Sequence, residues 1–299
     1  MSVRITKPKT HRGKRMLAKR EPKIIELSKK ALMLRGATAS ATSLQFVKDL
    51  HAIKRTQSTY FGQKHPFNPF EDVKPIEELT QKYDLSLFAF CSHNKKRANN
   101  VILGRIFDHQ LLDMIEFGVE QFKSLTEIKN SKVMEGTKPC LIFSGDVWHQ
   151  NEEYSKCKSL LIDFFRGESA EQVRLAGFEH ALSFTAADGK IFLRSYKILM
   201  TKSGTKTPHI ELEEIGPSAD LVIRRTKLAS ADLFKRACRT PSAAKPKKVK
   251  NMSKDVFGSK LGRIHMPRQD YRKLQVKRGR ALRTEKTPKK SKIFWEFSQ

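Results

Sequence analysis

Acidic side chains are scarce at both ends of this chain. Residues 1–40 hold 2 Asp and Glu against 12 Lys and Arg, a net of +10, and residues 235–299 hold 4 against 21, a net of +17. The middle, 41–234, is nearly balanced at 25 against 26, so two terminal arms carry almost all of a formal net charge of +28. An excess of that size exceeds what solubility needs and points to a polyanionic partner, nucleic acid ahead of an anionic membrane. Long hydrophobic runs are missing as well, which excludes a membrane span and an N-terminal signal segment. Neither arm places Trp or Phe opposite its lysines, so an amphipathic membrane anchor is also disfavoured. The cysteines number four (Cys91, Cys140, Cys157 and Cys238) with no CxxC pair, which excludes a disulfide scaffold or zinc knuckle and leaves reduced thiols inside a cell as the expectation. GxxxxGK[ST], GxGxxG, HExxH and GxSxG are all absent. The histidines are dispersed without metal-ligand spacing, and Asp146, Glu152 and Glu153 fit turns or a helix start without catalysis. No metal and no cofactor are expected.

The 299 residues suffice for a sizeable core. Residues 1–22 are too poor in apolar groups to order alone. Ile24, Ile25, Leu27, Leu32 and Leu34 predict a helix stopping near Gly36, and Thr42 or Ser43 is positioned to cap a second helix through Ile53. KHPFNPFEDVKP, with three prolines, reads as an irregular connector. Strands are expected at 86–90, 101–107 and 140–144, while 111–119 fits strand or helix equally. Asn151, Glu152, Glu153 and Gly167 bracket a clear helix. Asp188-Gly189 joins two apolar runs as a hairpin, two further strand-like runs at 209–216 and 220–227 meet at Pro217-Ser218, and Ser230 is placed to cap a helix through Arg236. A faint echo links Ile115-Glu116-Phe117-Gly118 with Glu214-Ile215-Gly216.

One stretch, FAFCSHNKKRANNVILGRIFD at 88–108, interrupts two core-forming runs with Lys95, Lys96 and Arg97. A solvated loop is the bland reading. Beside two strongly basic arms, phosphate contact is the better one: the cations supply charge, and Ser92, His93, Asn94, Asn99 and Asn100 can bond sugar or base edges. In the C-terminal arm, KPKKVKN at 245–251 and TPKKSK at 287–292 carry nuclear-import-like clusters, and 256–270 reads as a segment that orders on a partner. The terminal IFWEFSQ has no assigned role. The competing expectation, an RNA-processing enzyme, rests only on scattered His and carboxylate groups such as Asp146 and His149.

The stretches 87–120, LIDFFRG at 161–167, RLAGFEHALSFTAADGKIFLRSYKI at 174–198, IELEEIGPSADLVIRRTKLAS at 210–230 and GRIHM at 262–266 resemble the Brix-domain family of large-subunit ribosome assembly proteins, with Ala98 where that family has proline. The resemblance runs from about residue 4 to about residue 275. It implies an α+β Brix domain of two similar α/β halves, resembling an anticodon-binding domain, over 30–236. Partly disordered basic arms at 1–29 and 237–299 would flank it. It also implies a nucleolar, non-enzymatic factor that binds 5S rRNA and large-subunit rRNA and brings the 5S ribonucleoprotein, with its ribosomal proteins, into the pre-60S particle. The implied protein partner is the regulator of ribosome synthesis protein, held through the Brix domain. The candidate RNA contacts are Lys95, Lys96, Arg97, Asn99, Asn100, Arg105, Arg224 and Arg225, followed in the C-terminal arm by Lys247, Lys248, Lys250, Arg263 and His265.

Overall fold

The computed structural model describes residues 10–20, 27–130, 132–168, 174–205, 207–240, 250–255, 259–264 and 266. They fall into two compact units, 1–245 and 246–299. The first unit holds one ten-stranded sheet, ordered β2-β1-β3-β4-β5-β10-β8-β7-β6, with β9 paired to β8. In chain order its strands are β1 (Ala31–Gly36), β2 (Ser58–His65), β3 (Leu87–Ser92), β4 (Asn100–Phe107), β5 (Gln110–Lys123), β6 (Cys140–Ser144), β7 (His180–Ala187), β8 (Lys190–Thr201), β9 (His209–Glu214) and β10 (Ser218–Lys227). Helices are α1 (His11–Arg20), α2 (Ala41–Ile53), α3 (Lys74–Tyr83), α4 (Val147–Gln150), α5 (Glu152–Phe165) and α6 (Ala231–Ala237). The second unit shows a short hairpin of β11 (Met252–Lys254) and β12 (Lys260–Gly262).

The sheet is built from two like halves. In each, a first strand runs parallel to the next, β1 with β3 and β6 with β7, and two antiparallel partners follow, β4-β5 and β8-β10. The halves meet where β5 and β10 pair antiparallel. The sequence echo is not the trace of this symmetry: 115–118 lies within β5, whereas 214–216 lies at the end of β9 and beyond it.

Strand alternation sorts the core into two layers. Val101, Leu103, Ile115, Phe117, Val119, Leu182, Phe184, Leu193 and Leu221 face α2 and α5, which bury Phe46, Val47, Leu50, Leu160, Leu161 and Phe164 against them. On the opposite face of the first half, Leu32, Leu34, Phe88, Phe90, Ile102 and Met114 lie under Ile76 of α3, with Phe67 and Phe70 from the three-proline connector packed alongside. Each of these fully buried side chains is worth about 1.5–3 kcal/mol.

Local signals hold at several elements. Asn151 accepts the Glu153 N–H at 2.9 Å to start α5, and Ser230 caps α6. Asp188 and Gly189 both take positive φ in the β7–β8 turn, as a two-residue hairpin with strands of this twist requires. The segment 111–119 resolves as strand.

Other expectations are corrected. Residues 31–36 are not the end of a helix. Ala31–Leu34 is buried on both faces between parallel β2 and β3, which needs an unbroken apolar run rather than an amphipathic one; residues 21–26 lie outside the described set. α2 is capped by Ser40, whose hydroxyl accepts the Ser43 N–H at 3.1 Å, ahead of Thr42 and Ser43. The expected disorder of residues 1–22 is broken by α1, where the Thr10 hydroxyl accepts the Gly13 N–H at 3.1 Å. The polar edge strand β2 and helix α3, which begins at Lys74-Pro75, have no clear sequence signal.

Gly104 of β4 lies against the Phe88 ring, and a Cβ there would run into it. Phe88 is fully buried and has nowhere to retreat. Gly104→Ala should therefore cost about 1–3 kcal/mol of overpacking, read as a lower urea midpoint with an unchanged slope.

Candidate nucleic-acid interface

The cationic segment is an ordered connection between β3 and β4. Asn94 and Arg97 exchange backbone hydrogen bonds at 3.2 Å, and the Asn94 side-chain oxygen accepts the Arg97 N–H at 2.6 Å, forming a tight turn that leaves Lys95 and Lys96 exposed. Asn99 sits at φ +47, a left-handed conformation that Asn tolerates better than most residues. It is held there from two sides: its N–H donates to His93 Nδ1 at 3.1 Å, and its side-chain oxygen accepts from the Ser40 hydroxyl at 2.8 Å. Ser40 also caps α2, so the loop is fastened to the positive end of that helix.

Behind the loop lies a carboxylate with no solvent exposure, Glu116 of β5. Neighbouring Ile115 and Phe117 face the helices, so alternation turns Glu116 to the other face. Arg225 bonds both its oxygens, the second at 3.0 Å. Asn100 donates to Oε1 at 2.5 Å, and Arg97 Nε stands 4.0 Å from Oε2. The Arg225 guanidinium also lies 4.1 Å from the Phe70 ring centroid, a favourable cation–π placement. Register between β10 and β5 slips between Ile223 and Arg225, a bulge that presents two consecutive arginines near one another. Arg224 crosses Gly118, where a Cβ would stand 2.5 Å from its Nε, and reaches toward Asn100 Oδ1 at 3.4 Å.

Chain segments far apart in sequence thus bring Arg97 and Arg225 to one buried anion, with Arg224 attached through Asn100 and with Lys95, Lys96 and Asn99 in the adjoining loop. Burial alone would raise the Glu116 carboxyl; hydrogen bonds from Arg225 and Asn100 and the charges of Arg225 and Arg97 outweigh it and hold the group below the usual carboxylate range. Glu116 is accordingly an ionised hub that orients guanidinium groups. Lys95 and Lys96 stand exposed on the rim.

Arg105 requires a correction. It is only 4% exposed, bonded to both oxygens of Asp113 (Nε to Oδ1 at 2.8 Å), to Ser159 at 3.0 Å and to Asp163 at 2.7 Å. Its parity with Val101 and Leu103 turns it to the helix side, where it serves packing. Lys250 and Arg263 are exposed in the second unit, Arg263 donating its backbone N–H to Asn251 O at 2.7 Å. Lys247, Lys248 and His265 lie outside the described residues. Asp146 and His149 are exposed about the short helix α4. Among the described residues no three His, Cys, Asp or Glu side chains group as metal ligands, and no helix is long and apolar enough to cross a membrane. Sequence reading missed Glu116, Ser40 and Phe70. For Glu116 the signal was present: a carboxylate set between core residues in a strand demands cationic partners.

The Brix domain family model matches residues 36–225. The human protein named Ribosome production factor 2 homolog is 54% identical over 259 residues, covering 87% of this chain and 85% of its own. Its namesake in Drosophila melanogaster is 46% identical over 291 residues, 97% of this chain and 90% of its own. The Ribosome biogenesis protein RPF2 of Saccharomyces cerevisiae is 38% identical over 295 residues, 95% of this chain and 86% of its own.

Glu116→Gln tests the hub. It should cost about 2 kcal/mol at neutral pH, less than for a wholly buried pair because Arg225 keeps 31% of its side-chain exposure. The folded-state pKa lies below the ordinary value of 4.5, so this contribution is complete above that pH and lost as pH falls through the folded value. Urea melts of both proteins should therefore converge only in strong acid.

Proposed function

Because the chain belongs to the Brix-domain family of ribosome biogenesis proteins, we propose that it is a non-enzymatic, nucleolar assembly factor that binds rRNA and helps bring the 5S ribonucleoprotein into the pre-60S particle. The observation that carries the reading is the convergence of Arg97 and Arg225 on the buried Glu116, with Arg224 held at the neighbouring Asn100, beside the loop that carries Lys95 and Lys96. Guanidinium groups fixed by a buried carboxylate lose little side-chain freedom on meeting a phosphate, while the rim lysines add charge without geometry. Cations set over an ordered turn suit backbone and shape recognition of folded rRNA better than base readout. 5S rRNA and large-subunit rRNA are the intended ligands, with the 5S-associated ribosomal proteins meeting the factor through the shared particle.

A separate surface serves a protein partner. β9 pairs only with β8 among the described residues, and it exposes Ile210 at 57% and Leu212 at 54%. An edge strand with apolar side chains on one face suits strand addition. The partner proposed is the regulator of ribosome synthesis protein.

Replacing Lys95, Lys96 and Arg97 by Ala in the full chain should weaken rRNA binding at least tenfold. It should also flatten the salt dependence, by about 0.7 in log–log slope for each phosphate no longer neutralised on single strands and about 0.9 on duplex. Filter binding across a salt series reads both. The same variant should keep its one-to-one complex with the partner protein, whereas Ile210→Asp with Leu212→Asp should lose the partner and keep RNA. Loss of RNA and partner together in the loop variant would place the loop in the protein interface. Turnover of pre-rRNA by the pure protein, abolished by Asp146→Asn or His149→Ala, would replace this reading with an enzyme.

A further inference from the structure

A cavity of about 390 Å³ lies between α2 and the connection from β5 to β6, and Asp49 is one of the residues lining it. Four carboxylates are buried among the described residues: Asp49, Asp113, Glu116 and Asp220. Three of them hold an arginine: Asp113 has Arg105, Glu116 has Arg225 and Asp220 has Arg194. Asp49, only 3% exposed, has no ion pair among the described residues. Its Oδ1 accepts from Gln45 Nε2 at 2.9 Å, its Oδ2 accepts the Leu125 N–H at 3.0 Å, and Ser124 adds a third hydrogen bond. All three partners are neutral, and Glu127 brings further negative charge nearby. Burial accordingly pushes the Asp49 carboxyl above its ordinary value against those hydrogen bonds, whereas arginine holds Glu116 below its own.

A buried carboxylate without a cation is costly, and its two oxygens offer about four accepting sites, one more than these donors fill. Ala52, Ile53, Val133, Met134 and Ile215 give the cavity aliphatic walls. No Phe, Tyr or Trp stands among its described lining, which disfavours a stacked nucleobase. Aliphatic walls suit the methylene stem of a long cationic side chain whose head meets the carboxylate. Arginine is more weakly hydrated than lysine and is the better partner for a buried carboxylate. The lysines that line the cavity do not take this place: Lys132 Nζ donates to the Leu125 carbonyl, and Lys48 is exposed. We propose that the cavity receives a single arginine side chain from a protein partner, with Asp49 as its counter-ion. The inference stands independently of the nucleic-acid reading and of the loop site.

The test uses the full-length chain with isotope-labelled Met and Ile methyl groups, followed by NMR. Three probes are titrated: N-acetyl-arginine N-methylamide, its citrulline counterpart, in which a neutral urea replaces the guanidinium, and guanosine. The arginine probe should shift the Met134, Ile53 and Ile215 methyl resonances saturably and bind at least tenfold more tightly than the citrulline probe. Asp49→Asn should remove that preference, which a merely structural role for Asp49 would not produce. Ala52→Phe fills the cavity, replaces none of the Asp49 hydrogen-bond partners and should abolish arginine binding, so the proposal stays testable if Asp49→Asn unfolds. No saturable shift with the arginine probe, equal affinity for the two amino-acid probes, or arginine binding that survives Ala52→Phe would overturn the proposal. Guanosine bound at the same methyl groups in place of arginine would overturn it too and give the cavity to RNA.

Discussion

Everything in the first unit depends on the antiparallel seam between β5 and β10. Each half of the sheet could close only half a core; pairing across the seam makes one continuous surface for α2 and α5 to cover. The candidate site lies on the reverse of the same seam. Glu116 on β5 and Arg225 on β10 face each other across it, so the ion pair that orients the guanidinium groups also ties the halves together. A buried carboxylate is costly unless fully matched. Here it has two donors to one oxygen and an arginine to both, so the molecule carries a charged centre without an orphan.

Arginine is used in two opposed ways. Arg105 is sunk among Asp113, Asp163 and Ser159 on the helix side and has no capacity left for a ligand. Arg225 is held by the Glu116 carboxylate and Arg224 by Asn100, and the two, offset by the bulge, stay half exposed. The ratio of cation to anion separates the two places: Arg105 has two carboxylates to itself, whereas Glu116 is one carboxylate shared by Arg97 and Arg225. The network at Arg105 also takes in Lys29 through Asp163 and lies 5.5 Å from the Phe234 ring centroid.

Legibility followed the range of the interaction involved. Asn151 and Ser230 as caps, the Asp188-Gly189 turn and the apolar strands at β3, β4, β6 and β7 could be read because the forces that make them act within a few residues. β1 was misread as helix because burial between two parallel neighbours, not its own pattern, sets its state. β2 and α3 went unread for the same reason: a polar edge strand and a helix behind a proline-rich connector form against a sheet that the local sequence does not contain.

By itself, the sequence determined that the globular middle is neutral, that two arms carry the positive charge, and that a cationic loop interrupts two core strands; composition and short-range pattern suffice for each. Its likeness to the Brix family was likewise readable from contiguous stretches. Only the tertiary structure decided which cations act together. Arg97 and Arg225 stand 128 positions apart and share one carboxylate, while Arg105, eight residues from Arg97, belongs to another network on the other face. Strand parity, a one-residue bulge and the register of β5 against β10 made that division, and all three arise from pairings between distant segments that no local property of the chain encodes.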